Sequence, residues 1–193
     1  MRKTKVIVGI ITLVVAMTAC DNGTGTGGFV PEYVVGDTGP GGGKIIYVST
    51  AGFTVTGTGS FTAHYLEAAP ANMATTLAWA SSGFTSTDIP GTGTAIGTGK
   101  ANTALILATD TNAPAAKACD DYTGGGKTDW FLPSKDELKE MYNARTHVGI
   151  SSGVFWSSSQ DGYDYACLQD FGYGGQGSYL KGNDFNVCAV RAF

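Results

Sequence analysis

The stretch Phe155–Phe193 restricts this chain more than any other. It holds six glycines. Each glycine in a helix interior costs about 1 kcal/mol against alanine, so no stable helix spans it. The same stretch carries nine of the chain's twenty-one aromatics, four aspartates and only two cations, Lys181 and Arg191. It divides naturally into strands at Val154–Ser157, Tyr165–Phe171 and Val187–Ala192, separated by turns rich in Gly and Asp. Tyr set among Ser, Asn and Gly on short turns is also how a binding surface is composed, with rigid aromatics beside adaptable polar groups. Composition leaves two readings open: such a surface, or the Tyr-rich end of an antiparallel sheet with ordinary turns.

The other end of the chain is of a different kind. Arg2, Lys3 and Lys5 precede an apolar run, Val6–Met17, which is too short to span a bilayer as a permanent helix. Small residues follow, ending at Cys20. This is the pattern of a secretory signal over residues 1–19. Met17-Thr18-Ala19-Cys20 resembles a bacterial lipoprotein box, in which the Cys becomes the first mature residue and carries acyl chains. Lipid attachment at Cys20 would hold the protein on a membrane, since each buried methylene contributes about 0.8 kcal/mol. Residues 20–36 then read as a Gly/Thr tether without apolar period, and residues 37–193 as one domain. The expected location is the cell envelope, lipid-anchored at the outer membrane or cell surface.

Charge narrows the partners. From Cys20 onward the chain has nine Lys and Arg against sixteen Asp and Glu, a net charge of −7. That balance argues against nucleic acid and polyanionic sugars. Apart from Cys20, three cysteines remain: Cys119, Cys167 and Cys188. An odd number leaves at least one unpaired.

Within the domain, Lys44–Ser49 reads as a strand and Thr50–Ser60 as a Gly/Thr loop or hairpin. Tyr65–Pro70 is a strand stopped by Pro. Ser81–Gly99 is a long Gly/Thr/Ser loop, a length that implies either function or close packing on the core. Helices follow at Ala101–Ala108 and from Asn112-Ala113-Pro114, with Pro early in the first turn, to Tyr122, with Cys119 buried among alanines. Asp129–Pro133 is a short apolar strand. Ser134 and Glu137 form a capping box for a helix over Lys135–Ala144, whose Leu138, Met141 and Tyr142 share a face.

Catalytic patterns are sparse. Gly43-Lys44 fails as a phosphate loop, because Thr38 stands where its first Gly is needed and a β-branched strand follows. Gly99-Lys100 fails too, with Thr94 and Ala101 at the required positions. His64 and His147 are the only histidines, and no Ser/His/Asp order or zinc spacing can be placed around them. Asp120-Asp121 and Asp136-Glu137 are adjacent pairs, whose side chains point apart, so they read as caps and solvated faces. No enzyme, metal site or cofactor is expected.

Several blocks in order resemble the Lcl C-terminal domain family of bacterial surface lipoproteins and adhesins. They are Val35–Pro40 leading into Ile45–Val48, Tyr65–Pro70, Gly97–Thr103, Ala115–Cys119, Asp129–Ser134 with Glu137, Leu138, Met141 and Tyr142, then Phe155–Ser159 and Val190–Phe193. The resemblance implies an α+β, C-type-lectin-like fold of the formylglycine-generating-enzyme branch: a twisted, mostly antiparallel sheet with two main helices and long loops. It does not bring that branch's activity, since nothing matches a paired-cysteine site. Nor does it bring calcium, since Asn183-Asp184 offers too few oxygens. Part of the family is similar to the variable proteins of diversity-generating retroelements, in which adenine-directed mutagenesis rewrites Asn-type codons. On that likeness Trp156–Ser159 and Val190–Phe193 are fixed flanks. Between them, Gly162, Tyr163, Asp164, Tyr165, Cys167, Leu168, Tyr173, Tyr179, Leu180, Gly182, Asp184, Phe185, Asn186 and Cys188 are residues such codons can become. Gln160, Gln169, Gln176 and Lys181 are not, and would be scaffold. Diversification would make Cys167 and Cys188 incidental thiols rather than a cross-strand pair.

The expected function is therefore a surface-displayed, adhesin- or receptor-like lipoprotein. It would bind a protein or carbohydrate through Asp161, Tyr163, Asp164, Tyr165, Leu168, Tyr173, Tyr179, Asp184 and Asn186. The alternative is a structural envelope lipoprotein whose aromatics are core. Exposure of the tyrosine rings separates the two.

Overall fold

The computed structural model describes residues 29–70 and 76–193. The expected signal segment, Cys20 and the first part of the expected tether lie outside the described residues. No helix among the described residues is long and apolar enough to cross a membrane.

The chain is α+β, with two sheets, four α-helices and a short 3-10 turn at Gly124–Gly126 among the described residues. Strands β1 (Lys44–Val55) and β2 (Phe61–Ala68) form an antiparallel hairpin, and β8 (Val190–Ala192) joins β2. The β1 strand is longer than its sequence suggests. It runs through Gly52, whose φ of 77° belongs to a register shift between Val48 and Phe53, so the Gly that resembles a loop is a bulge.

The second sheet has the order β3-β7-β4-β5-β6, comprising β3 (Thr76–Ala78), β4 (Val154–Gln160), β5 (Tyr165–Asp170), β6 (Gln176–Leu180) and β7 (Asp184–Asn186). Its pairings are antiparallel except for a single parallel pair, Phe155 with Asn186. Two of these strands, β6 and β7, fall where sequence gives only turns, and Val187–Ala192 supplies strand only from Val190. Asp129–Pro133 contributes one bridge, Phe131 to Val190.

Helices α1 (Gly99–Thr109), α2 (Pro114–Asp120), α3 (Lys135–Asn143) and α4 (Arg145–Val148) pack around the sheets. The α3 helix starts with the expected capping box: Ser134 Oγ accepts from the Glu137 amide, and Glu137 Oε2 accepts from the Ser134 amide at 2.7 Å. Trp79, Trp130, Trp156, Phe131, Leu66, Leu138 and Ile106 fill the core.

Two glycine-rich loops hold buried carboxylates. The amides of Gly41 and Gly43 donate to Glu67 at 3.0 and 2.7 Å, and Arg191 Nη1 reaches the same carboxylate at 3.2 Å. A Cβ on Gly43 would collide with the Ala68 carbonyl. The sequence that imitates a phosphate loop thus cradles an anion of its own chain. The second carboxylate is Glu137, the expected capping-box residue, which is also fully buried. It accepts from the Gly97 amide at 2.8 Å, and a Cβ on Gly99 would strike it. Burial pushes its acid up to about 7, against the pull of the Ser134, Gly97 and Gly99 amides.

Part of the stretch read as tether lies against the domain. The Phe29 ring stacks on His64 at 3.7 Å, the Glu32 amide donates to the Tyr65 hydroxyl at 2.7 Å, and Tyr33 packs edge-on to Tyr65 and Phe193.

Candidate functional site: the β5–β6 hairpin and its cleft

The β5–β6 hairpin projects the exposed tyrosines. Its register pairs Tyr165 with Leu180, Ala166 with Tyr179, Cys167 with Ser178 and Leu168 with Gly177. Paired residues of an antiparallel ladder share a face and neighbours along a strand alternate. Tyr165 and Leu180 therefore lie on one face, Tyr179 and Leu168 on the other. Trp156 of β4 pairs with Leu168 and shares the second face. There the Tyr179 ring meets Phe185 at 5.4 Å, and Phe185 meets the buried Trp156 at 4.8 Å, both edge-on.

The two turns lie at opposite ends of the hairpin, separated by β5, about 20 Å at roughly 3.3 Å per residue. Asp161, Tyr163 and Asp164 occupy the turn between β4 and β5. Tyr173 occupies the turn between β5 and β6. Asp170 Oδ1 accepts the amides of Gly172 and Tyr173 at 2.7 and 3.0 Å and folds that turn. Gly174 follows at a φ of 82°, where a Cβ would meet the Tyr142 hydroxyl, so the backbone lies on the core while the Tyr173 ring is driven outward. The residues Tyr163, Tyr165, Tyr173 and Tyr179 are 65, 45, 95 and 49 % exposed.

The nine expected residues do not form one patch. Asp161, Tyr163, Asp164 and Tyr165 gather at one end. Leu168 and Tyr179 share a face in the middle, and Tyr173 stands alone at the far end. Asp184 and Asn186 lie on β7, two strands from β5. Asn186 is half-buried, and its Nδ2 donates to the Val154 carbonyl at 3.0 Å.

One cleft adjoins the first group. It encloses about 310 Å³ and is lined by Thr85, Ser86, Asp164, Leu180, Lys181, Gly182 and Asn183. Thr85 and Ser86 come from the long Ser81–Gly99 loop, whose length was the only sequence signal for them. Beneath the cleft lies Lys181, fully buried. Its ammonium donates to the carbonyls of Thr87 and Tyr163 at 2.7 and 2.6 Å and to Gln160 Oε1 at 2.8 Å, and it sits 4.9 Å from the Trp79 ring centre. Burial pulls the Lys181 pKa below its ordinary value, and Asp88 and Asp164 push back. One side chain thus ties the long loop, the end of β4 and the Tyr163 turn together.

The other cation of this stretch is also internal. Arg191 donates to Asp129 through Nε and Nη2, each at 2.9 Å, and to Glu67. Burial raises the Asp129 carboxyl, but its hydrogen bonds to Arg191 and that positive charge outweigh burial and hold it below its ordinary value. Asp161, Asp164, Asp170 and Asp184 take part in no ion pair among the described residues. The hairpin therefore presents exposed aromatics and negative charge, while its cations point inward.

Cys167 and Cys188 are free and buried, as is Cys119. Burial pushes the Cys188 thiol up to about 12 and raises the Cys119 and Cys167 thiols as well, which leaves all three protonated and inert at neutral pH. Among the described residues no group of three or more His, Cys, Asp or Glu is placed to hold a metal ion. No family model matches the chain, and no curated protein matches it.

Proposed function

We infer that this protein is a surface-displayed ligand-binding lipoprotein with a C-type-lectin-like domain of the Lcl type. It is anchored through acyl chains on Cys20 and recognises a protein or carbohydrate through its β5–β6 hairpin. The observation that carries this reading is the outward presentation of Tyr163, Tyr165, Tyr173 and Tyr179, which are the most exposed aromatics among the described residues; Phe29, Phe61 and Phe84 are less so, and the rest are buried or half-buried. Tyr163 and Tyr173 are mostly in water, and the Tyr179 ring meets the framework at Phe185. As low-entropy, amphipathic contact area these tyrosines suit recognition. That counts against a purely structural envelope protein with core tyrosines.

The division between variable and fixed positions has partial support. Of the four residues that adenine-directed mutagenesis could not create, Lys181, Gln169 and Gln160 sit in or beside the interior, whereas Gln176 is exposed. Tyr163, Tyr165, Tyr173 and Tyr179, which it could, face solvent. Cys167 and Cys188 are also reachable by such codons and are buried, so any diversified surface is the exposed subset.

The test is binding of the full chain to glycan and peptide arrays, alongside its Tyr163→Ala and Tyr179→Ala variants. The reading requires a wild-type ligand that both variants lose at an unchanged melting temperature. Retention by both variants would overturn it. Palmitate labelling that Cys20→Ala abolishes tests the anchor. A reverse transcriptase gene nearby, with a template repeat differing only at adenines, tests the diversification.

A further inference from the structure

The β6 strand is the outer edge of its sheet: β5 pairs with one side, and no strand among the described residues pairs with the other. Its free groups can be assigned. The Lys181 amide donates to the Asp164 carbonyl, and the Asp170 amide donates to the Gly175 carbonyl, each at 2.9 Å. These two bonds fix the alternation of the ladder, so Tyr179 and Gly177 point their backbone groups at β5. Gln176, Ser178 and Leu180 point theirs away. The Leu180 carbonyl confirms the direction, since it accepts the Asn183 amide at 3.0 Å. The edge therefore offers the N–H and C=O of Gln176 and Ser178 and the N–H of Leu180. Proteins blunt such edges with Pro, Lys, bulges or a covering segment. Here β6 reads Gln-Gly-Ser-Tyr-Leu, it has no register shift against β5, and four of its five residues are exposed. Its shortness is its one safeguard.

Carboxylates without ion-pair partners flank this edge at both ends, with Asp170 beside Gly175 at the start of β6. At the Leu180 end stand Asp161 and Asp164 without ion-pair partners, and the cleft with Asp164 in its wall opens beside Leu180. Lys181 offsets part of this charge from within, but its three ammonium hydrogens are spent on Thr87, Gln160 and Tyr163 and it makes no ion pair with Asp164. At the Gln176 end lies the start of α3, where the Lys135 carbonyl accepts Gln176 Nε2 at 2.8 Å. A second copy paired antiparallel would bring Asp161 and Asp164 of one chain toward Asp170 of the other, acid against acid, whereas a basic segment would be drawn to them.

We propose that the β6 edge takes an extended segment of a partner protein as a sixth strand, with a Lys or Arg of that segment seated in the Asp164 cleft. Backbone bonding to Gln176, Ser178 and Leu180 supplies the pairing, the flanking Tyr165 and Tyr179 supply contact area on the two faces, and Asp164 with Thr85, Ser86 and Asn183 sets the preference for a cation. This rests on the binding-face reading above and names the ligand class as a basic, extended polypeptide.

The probe is a fluorescent heptapeptide of alternating Lys and Thr, blocked at both ends, with a Glu/Thr counterpart, titrated by anisotropy against the full chain. The Lys/Thr peptide binds, and more weakly at high salt, while the Glu/Thr peptide does not. Ser178→Pro removes an outward N–H without touching the β5 ladder, and lowers affinity by about tenfold or more at unchanged melting temperature. Asp164→Asn lowers affinity and flattens the salt dependence. Methylation of alternate backbone nitrogens of the peptide abolishes binding to the wild type, an arm that holds even if Ser178→Pro misfolds. Absence of Lys/Thr binding, or indifference to both backbone changes, overturns the proposal. So does a dimer of the chain that Ser178→Pro dissolves, which would give the edge to a second copy. If array ligands are lost on Tyr163→Ala and Tyr179→Ala but ignore Ser178→Pro, the tyrosine face stands and the edge proposal falls.

Discussion

Tyr65 in β2 is 5 % exposed, its hydroxyl accepts the Glu32 amide, and its ring is packed by Tyr33 and Phe193; Tyr173 in the β5–β6 turn is 95 % exposed and only its backbone is held. The contrast extends to other residue types. Near β2 and β8, Asp129 grips Arg191, and the glycines of residues 41–43 close on Glu67. Along the hairpin, Asp161 and Asp164 hold no cation, and Gly162 has nothing within contact of a would-be Cβ. One region spends Tyr, Asp and Gly on internal partners. The other spends its backbone on internal partners and leaves those side chains free. Composition is shared, so what separates framework from presented surface is whether each polar or aromatic group has a partner inside the molecule.

The comparison breaks most sharply in the core. Trp130→Ala and Leu138→Ala should each cost about 2–5 kcal/mol in urea denaturation, since both side chains are buried and their loss leaves cavities. A smaller loss is expected where framework meets surface. Lys181→Met strands the Thr87 and Tyr163 carbonyls and should cost about 1–3 kcal/mol. It should also loosen the Tyr163 turn, seen as faster hydrogen exchange there.

The two cradled carboxylates sharpen the framework side further. Glu67 has Arg191 as a counter-ion, whereas among the described residues no ion pair includes Glu137. Because folding raises the Glu137 acid from 4.5 to about 7, the folded chain binds that proton more tightly than the unfolded one. Its contribution is fully present below 4.5 and is lost as pH rises through 7. A melting temperature followed across that window should fall with rising pH, and Glu137→Gln should flatten the curve. The smallest effect belongs to the surface. Tyr173→Ala and Tyr163→Ala should change stability by less than about 0.5 kcal/mol, because neither ring is packed in the core. A loss matching that of Trp130→Ala would erase the distinction between the regions.

Local signals were legible in the sequence. The Ser134/Glu137 box and the spacing of Leu138, Met141 and Tyr142 place α3 within a residue of Lys135–Asn143. Pro114 marks the first turn of α2, because its fixed φ suits a helix start and its missing N–H costs nothing there. Partners far along the chain were not legible. The β6 and β7 strands carry Gly, Ser, Asp and Asn, and are strands only because β5 and β3 lie beside them. Nothing near Gly41 announces that its anion is Glu67, and nothing near Glu137 announces that the Gly97 loop closes over it. Lys181 could be read as fixed scaffold, but not as the tie among Thr87, Gln160 and Tyr163. The four tyrosines singled out in the sequence are exposed. Their scattering over two turns and two faces follows from hairpin register, which one strand cannot reveal.

The union of Glu67 with Arg191 also bears on how quickly this molecule can form. The two residues are 124 apart in the chain. The Trp79 indole reaches the Ser157 carbonyl across 78 positions, and Lys181 reaches Thr87 across 94. Each such closure must be made against chain entropy before its reward arrives, which places the protein among slow folders of high contact order. Until β8 reaches β2, Glu67 has its two glycine amides but no guanidinium. Mutations at this junction should therefore act on the folding rate as well as on stability, and refolding yield should fall with protein concentration while the edges of both sheets remain open.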